Sequence, residues 1–284
     1  MSDAPEGPAA PGTFRVVRRR QWGAWVVGAV TLALLLLLVR AGVEARIVNP
    51  ETFRHYLFDL EILIGVKNAF LVGTLSLFIA TGVGVVVALF RLSRNPILVA
   101  VSAGYVCLFR GVPMLIQILF WFNALPMMFQ TIRIAIPFTG VTLVNALMVD
   151  VVTPFRAALL GIALAEAAYL SEIVRGAVAS FDRGQIDAAK ALGMRQYQVV
   201  TRVVMPQVSR AILPSIGNEY INLMKSTSLA MTIGYLEVLR VVTNIYYTTL
   251  EVVELLCVAA FWYLVLGAFA TLLQTILERL YPNR

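Results

Sequence analysis

Charge is scarce in this sequence: 14% of its 284 residues are Asp, Glu, Lys or Arg, against 60% that are hydrophobic. A soluble domain of that length needs far more polar surface to stay dispersed, so the composition indicates an integral membrane protein. Histidine and cysteine are scarcer still. The one histidine, His55, has no second histidine or cysteine at ligand spacing, which argues against a metal site. Cys107 and Cys257 both fall inside apolar runs, where cysteine acts as a small hydrophobe, and no disulfide is expected. No lysine follows a glycine: Lys67, Lys190 and Lys225 follow Val, Ala and Met, so a Gly-Lys-Ser/Thr phosphate loop is excluded. No set of nucleophile, base and metal ligands marks an enzyme. The net charge of +7 comes from residues lying between apolar runs rather than along one polar face, which speaks against nucleic acid.

What is abundant is long apolar runs. Residues 1–21 are Pro, Ala, Gly and acidic, then basic, and cannot bury enough apolar surface to fold alone; a disordered tail is expected. A first transmembrane helix is expected over 22–39. Val43-Glu44-Ala45 is a poor signal-peptidase site, so that helix is expected to be retained. A polar connector, 40–61, leads to a second span from Ile62 to Phe90, in which Gly73, Gly82 and Gly84 would permit close helix contact. A basic turn at Arg91 to Pro96 precedes a third span, Ile97 to Phe122, with a kink at Pro113. From Asn123 to Pro154 the apolar runs are too short to cross, and surface or re-entrant segments are expected. A fourth span, Phe155 to Ala179, carries Glu166, Glu172 and Arg175; ionisable groups at membrane depth suggest a pathway, a binding site or a partner helix. After a polar loop, Phe181 to Arg210, come a fifth span (Ala211 to Tyr235), a polar link (Leu236 to Glu254), a sixth span (Leu255 to Leu277) and a tail, 280–284. No internal duplication is visible.

Basic residues set the expected orientation. With six spans, Arg15, Arg18, Arg19, Arg20, Arg91, Arg94, Arg183, Lys190, Arg195, Arg202, Arg210, Arg279 and Arg284 share one side, against Arg40, Arg46, Arg54, Arg133 and Arg240 on the other. The positive-inside tendency puts both termini and the Phe181 to Arg210 loop in the cytoplasm. Ile186, Ala189 and Leu192 recur at helical spacing, Gly193 suits a left-handed cap, and Pro206 reads as a stop. Two short helices joined by a glycine would make a knob able to fit a partner's groove; an ordinary solvated loop would show the same periodicity.

The motifs decide between these readings. Asp187-Ala188-Ala189, then Gly193, then Val203-x-Met205-Pro206 resembles the EAA loop of ABC-importer permeases, with Asp for Glu and Val and Met for Ile and Leu. Phe109-Arg110-Gly111-Val112-Pro113-Met114-Leu115-Ile116-Gln117, Ser171-Glu172-Ile173-Val174-Arg175-Gly176 with Gly184-Gln185, and Lys225-Ser226-Thr227-Ser228-Leu229 resemble the polar amino-acid branch of these permeases. The resemblance covers about 62–279. It departs at Ala69, where that branch more often has Thr. It implies an all-α integral membrane protein: a five-helix permease core plus one extra N-terminal helix. It also implies two ATP-binding subunits, a second permease subunit, identical or a sister chain, and an extracytoplasmic amino-acid-binding protein, in a bacterial inner membrane. ATP and magnesium would sit on the partner ATPase and no cofactor on this chain. Gln185, Asp187, Ala188, Ala189, Gly193, Met194, Tyr197 and Pro206 would then form the coupling surface.

A substrate passage is expected among Arg110, Met114, Gln117, Tyr169, Glu172, Lys225, Ser226 and Thr227. Glu172 with Tyr169 suits an ammonium group, yet Glu172 pairing with Arg175 or Arg110 explains it as well. Arg110 suits a carboxylate and Gln117 an amide, and packing at the kink is the competing use. Lys225, Ser226 and Thr227 either line the passage or satisfy Glu219. A second class of function, an ion-coupled secondary transporter using Glu166 and Glu172 as relay groups, lacks the inverted repeat such folds show.

Overall fold

Short small-residue stripes, rather than large apolar side chains, let the long helices of this chain approach one another. A computed structural model describes residues 49–135 and 142–281 and part of a helix between residues 25 and 40. The expected tail (1–21), much of the first span, part of the connector and the end of the C-terminal tail lie outside the described residues. The chain divides into two units, Met1–Asn49 and Pro50–Arg284, and the second holds the packed bundle.

Helix α1 (Pro50–Leu57) precedes α2 (Leu60–Arg91), whose first turn is capped by Asp59, Oδ1 accepting from Glu61 N at 2.8 Å. At about 1.5 Å per residue, α2 is longer than one bilayer crossing requires. Its buried face reads Gly65, Ala69, Gly73, Ser76, Ala80, Gly84 and Ala88, a repeat of small residues every three or four positions that lets helix backbones come close. A Cβ added at Gly84 would sit 3.0 Å from the carbonyl oxygen of Ala167. Gly73 is likewise packed against Met224, but Gly82 faces open space, so only two of the three expected glycines make close contacts.

The partner of α2 is α7 (Pro154–Ala179), whose buried side is Ala157, Ala158, Gly161, Ala163, Ala165, Ala167 and Ala168. Thr153 caps it, Oγ1 accepting from Arg156 N, and Pro154 takes the first-turn position where no N–H is needed. Between them the expected kink at Pro113 is a sharp break. Helix α3 (Pro96–Gly111) and the segment Met114–Met128, containing α4 (Met114–Leu119), a π turn and α5 (Leu125–Met128), meet at 103°. Pro113 cannot donate to the Phe109 carbonyl and forces Val112 into an extended conformation, φ −96°, ψ 130°. The Gln117 amide supplies the missing donors, Nε2 to Phe109 O at 2.9 Å and to Val112 O at 2.8 Å.

The stretch expected to be irregular contains an antiparallel pair, β1 (Thr131–Ala135) with β2 (Thr142–Leu147), and a short α6 (Met148–Val151). Their β-branched residues favour the pleated ribbon, and the fold is mostly helical rather than all helical. After α7 comes α8 (Arg183–Ala191), then α9 (Gln196–Gln198), which passes through a π turn, Val199–Val204, directly into α10 (Met205–Ser226). Pro206 is therefore no stop: it sits in the first turn of α10, behind a wider turn that needs no proton from it. Helix α10 begins before the expected fifth span and tightens into a 3₁₀ turn, Thr227–Ile233, closed by Gly234 at φ +78°. The polar link holds α11 (Val238–Thr249), and α12 (Val252–Leu280) ends the described chain.

Among the described residues, α2, α7 and α12 are long and apolar enough to cross a membrane, and the bent pair makes a fourth if counted as one span. Helix α10 is set apart by Arg210, Asn218, Glu219, Asn222 and Lys225. Two packed clusters join these elements: Ile62, Tyr220, Met224, Val238, Val242 and Leu255 in one, and Val72, Ile118, Ile162, Leu223 and Tyr235 in the other.

Candidate functional site

The polar loop is built by local hydrogen bonds. Asp182 caps α8, Oδ1 accepting from Gly184 N at 2.8 Å. At the other end Gly193 N donates to Lys190 O at 2.9 Å and Met194 N to Ala189 O at 3.2 Å, with Gly193 at φ +76°. That pair of bonds is a Schellman turn, which needs a left-handed residue and here uses glycine. The chain reverses and Arg195 N donates to Gln198 Oε1, starting α9. Gln207 Nε2 then reaches Gln185 Oε1 at 2.7 Å and ties α10 back to α8. Ala189 and Val199 are buried at the crossing, whereas Asp187, Ala188, Gln185 and Pro206 are exposed and Met194 is half-buried. Leu192 is 84% exposed and Tyr197 60% exposed, with Met205 and Val200 also on the surface. These apolar side chains are thus exposed among the charged residues of the loop.

A second group of charges lies on α7 and its neighbours. Glu172 Oε2 accepts from Arg175 Nη2 at 2.8 Å and Nε at 3.0 Å, and its Oε1 lies 3.5 Å from Arg91 Nη2. The carboxylate thus pairs within α7 and across to the end of α2, not with Arg110. Arg110 is exposed, its guanidinium 5.1 Å from the centre of the Tyr169 ring. One turn earlier on α7, Glu166 is buried and its carboxyl meets that of Glu219 on α10.

The remaining residues expected at a passage separate into two groups. Lys225 is exposed and Ser226 is half-buried, Oγ donating to Asn222 O. Thr227 is fully buried, donating to Met224 O at 2.8 Å; Gln117 is buried at the elbow, and Met114 packs among the Ile118 cluster. Glu219 is served by Asn222 Nδ2 at 3.3 Å.

The structure adds a polar knot that the sequence did not single out. Glu237 is fully buried; it caps α11 by accepting from Leu239 N and Arg240 N, and accepts from the Tyr263 hydroxyl on α12. Asn68 donates to Leu236 O and accepts, at its own carbonyl, from Tyr235. The sequence signal for it was an acidic residue immediately before an apolar helical run. Among the described residues no group of three His, Cys, Asp or Glu side chains is placed to hold a metal ion.

Comparison with known proteins agrees with this arrangement. Residues 80–281 match the family described as binding-protein-dependent transport system inner membrane component. The arginine transport system permease protein ArgU of Corynebacterium glutamicum is 34% identical, covering 98% of this chain and 88% of that protein. The nopaline transport system permease protein NocM of Agrobacterium fabrum is 38% identical over 72% of this chain and 80% of its own length. Among solved structures, an amino acid ABC transporter crystallised with histidines superposes with a TM-score of 0.65 at 26% identity, covering 77% of this chain and 93% of that one. The elbowed bundle, the glycine-closed polar loop and these matches together place the chain in the binding-protein-dependent transport system inner membrane component family, as the permease subunit of an amino-acid ABC importer.

Proposed function

We propose that this subunit carries a polar amino acid of the glutamate, glutamine, arginine and histidine class into the cytoplasm, with a basic amino acid the favoured cargo. The similarity to an arginine permease over nearly the whole chain supports that choice. The chain would cross the bacterial inner membrane six times with both termini inside, as the basic residues suggest. It would pair with a second permease, receive cargo from an extracytoplasmic binding protein and rest on two copies of an ATPase that holds the ATP and magnesium. The observation that carries the reading is the exposed apolar rim, Leu192 and Tyr197, on a loop whose turn is fixed by Gly193. Gln185, Asp187, Ala188, Ala189, Met194 and Pro206 complete the face that a cleft on the ATPase would accept.

Movement of that face would tilt α7 and α10, which leave it in opposite directions along the chain, and so open the passage to one side or the other. Arg110 over Tyr169 offers a cation for the cargo carboxylate, and Glu172, Lys225 and Ser226 lie on the same helices or their neighbour. Gln117, Met114 and Thr227 would shape the wall from behind. Family membership gives no support to the ion-coupled alternative built on Glu166 and Glu172. In the test, vesicles receive this chain with its ATPase and binding protein, and arginine uptake is followed with and without ATP. ATP-dependent uptake is expected; uptake driven by a proton or sodium gradient without the ATPase would overturn the proposal.

A further inference from the structure

Helix α10 leaves the polar loop as one element but is held in the bundle along only part of its length. Its buried residues, Tyr220, Leu223 and Met224, all follow Pro214, and none of the residues from Met205 to Leu213 is buried. The later half is fastened on more than one side. Tyr220 and Met224 join the cluster around Leu255, Leu223 joins the one around Ile118, and the Tyr220 hydroxyl lies 2.8 Å from Thr74 Oγ1 on α2. The earlier half is tied to the loop instead, with Gln207 Nε2 donating to Gln185 Oε1 at 2.7 Å. Pro214 stands between the two halves. Having no N–H, it leaves the Arg210 carbonyl without its helical donor, and its ring crowds that turn, so the helix bends most easily there.

Helix α12 touches α10 at the same level. Gln274 fills the notch left by Gly217: a Cβ added there would lie 2.7 Å from Gln274 Cδ and 2.9 Å from its Cβ, with Cγ nearer still. Gln274 Nε2 donates to Glu278 Oε1 on its own helix at 2.8 Å, but reaches Pro214 O and Asn218 Oδ1 on α10 only at 3.3 and 3.4 Å. Bonds at the long limit of hydrogen-bond geometry cost little to stretch, so this contact is close in packing and loose in polarity. On the loop side of it, Ser209, Arg210 and Leu213 on α10 and Tyr281 at the end of α12 border an open hollow of about 190 Å³, which gives the earlier half room to move.

We propose that α10 is hinged at Pro214 with Gln274 as its pivot: the half before Pro214 swings with the coupling face, and the half after it stays fixed to the bundle. The proposal rests on the coupling face put forward above and narrows it. Helix α10 follows the loop by changing its angle and not by tilting as a rod, so the passage changes width at the end nearest the loop while Glu219, Asn222 and Lys225 keep their places. Gln274 is a positioning residue, acting through the α10 backbone.

The test places spin labels on the full permease in lipid discs with its ATPase and binding protein, each labelled chain diluted among unlabelled ones so that only distances within one chain are read. All labelled chains carry Cys107→Ala. The lower pair is Ser209→Cys with Leu280→Cys, in a chain that also has Cys257→Ala; the upper pair is Asn222→Cys with the native Cys257, which is exposed on α12. Distances are taken without nucleotide and with a non-hydrolysable ATP analogue and magnesium. Ser209 lies about 7.5 Å along the helix from Pro214, so a change in bend of about 30° should shift the lower distance by about 4 Å and leave the upper one unchanged. Pro214→Ala, which restores a helix hydrogen bond and so keeps the fold, should hold the lower pair at one distance in both states. Gln274→Ala, which empties the Gly217 notch, should let the upper pair shift as well; an upper pair that stays fixed would remove Gln274 as the pivot. Two wild-type pairs that shift together would overturn the hinge and leave the coupling face standing, whereas two that both stay still would overturn the coupling face with it. A Pro214→Ala chain that shifts like the wild type would also overturn the hinge.

Discussion

Gly193 offers a way to separate backbone conformation from side-chain bulk at the proposed coupling face. It holds φ +76°, and a Cβ added there would meet nothing within 4 Å. Within the chain, substitution therefore acts through the left-handed conformation and not through a clash. Alanine in that region costs about 1–2 kcal/mol, asparagine less because its side chain bonds locally, and a β-branched residue more. A penalty of about 1.4 kcal/mol would reduce the population of the turn about tenfold. Coupling is then expected to fall in the order Gly, Asn, Ala, Val, although Asn is larger than Ala. The assay is the amount of amino acid accumulated per ATP hydrolysed in vesicles holding the permease, its ATPase and its binding protein. Membrane insertion should not change, because Gly193 lies outside the apolar runs. An order that follows side-chain volume, with Ala better than Asn, would refute the argument, as would a fully coupled Val variant.

Three more outcomes are expected from other parts of the fold. Gly84→Ala should lower stability in detergent by roughly 1–3 kcal/mol because its Cβ would press on the α7 backbone, whereas Gly82→Ala, in open space, should be neutral or slightly stabilising; equal melting temperatures would show that α2 and α7 are not locked there. Burial pushes the Glu237 carboxyl up from 4.5 to about 7, against the opposing pull of its hydrogen bonds from Tyr263, Leu239 and Arg240. Being raised in the folded state, this group contributes stability fully below pH about 4.5 and loses it as pH rises through about 7, a change of roughly 3 kcal/mol; melting from pH 5 to 9 should show the decline in the wild type and a flatter profile in Glu237→Gln. Arg110→Ala should raise the KM for uptake several-fold at an unchanged melting temperature, since Arg110 is exposed and stacks only on Tyr169; an unchanged KM would remove it from the passage.

Legibility of the fold in the sequence depended on how far apart the interacting groups are. The turn at Gly193 was readable because a Schellman cap involves only a few consecutive residues and one left-handed position. The apolar runs at 62–90, 155–179 and 255–277 were readable because membrane depth requires about 20 of them in succession. The π turn before α10 was not: Pro206 locally signals an end, but a wider turn absorbs its missing proton and the helix runs on. The elbow was foreseen as a kink, yet its 103° angle depends on Gln117 folding back onto carbonyls that only the bend exposes.

Amino-acid order was enough to establish a membrane permease, because composition, run length and the Asp187 to Pro206 pattern are local properties of the chain. For Glu172 it left three partners open, Arg175 one turn away, Arg110, and an ammonium group of the cargo. Packing in three dimensions made Arg91 a second partner beside Arg175 and laid Arg110 over Tyr169 instead. It likewise set Gln117 to brace an elbow beside an apolar cavity. Those choices depend on which backbones the small residues of α2 and α7 allow to approach, and no spacing along a single helix encodes that distance.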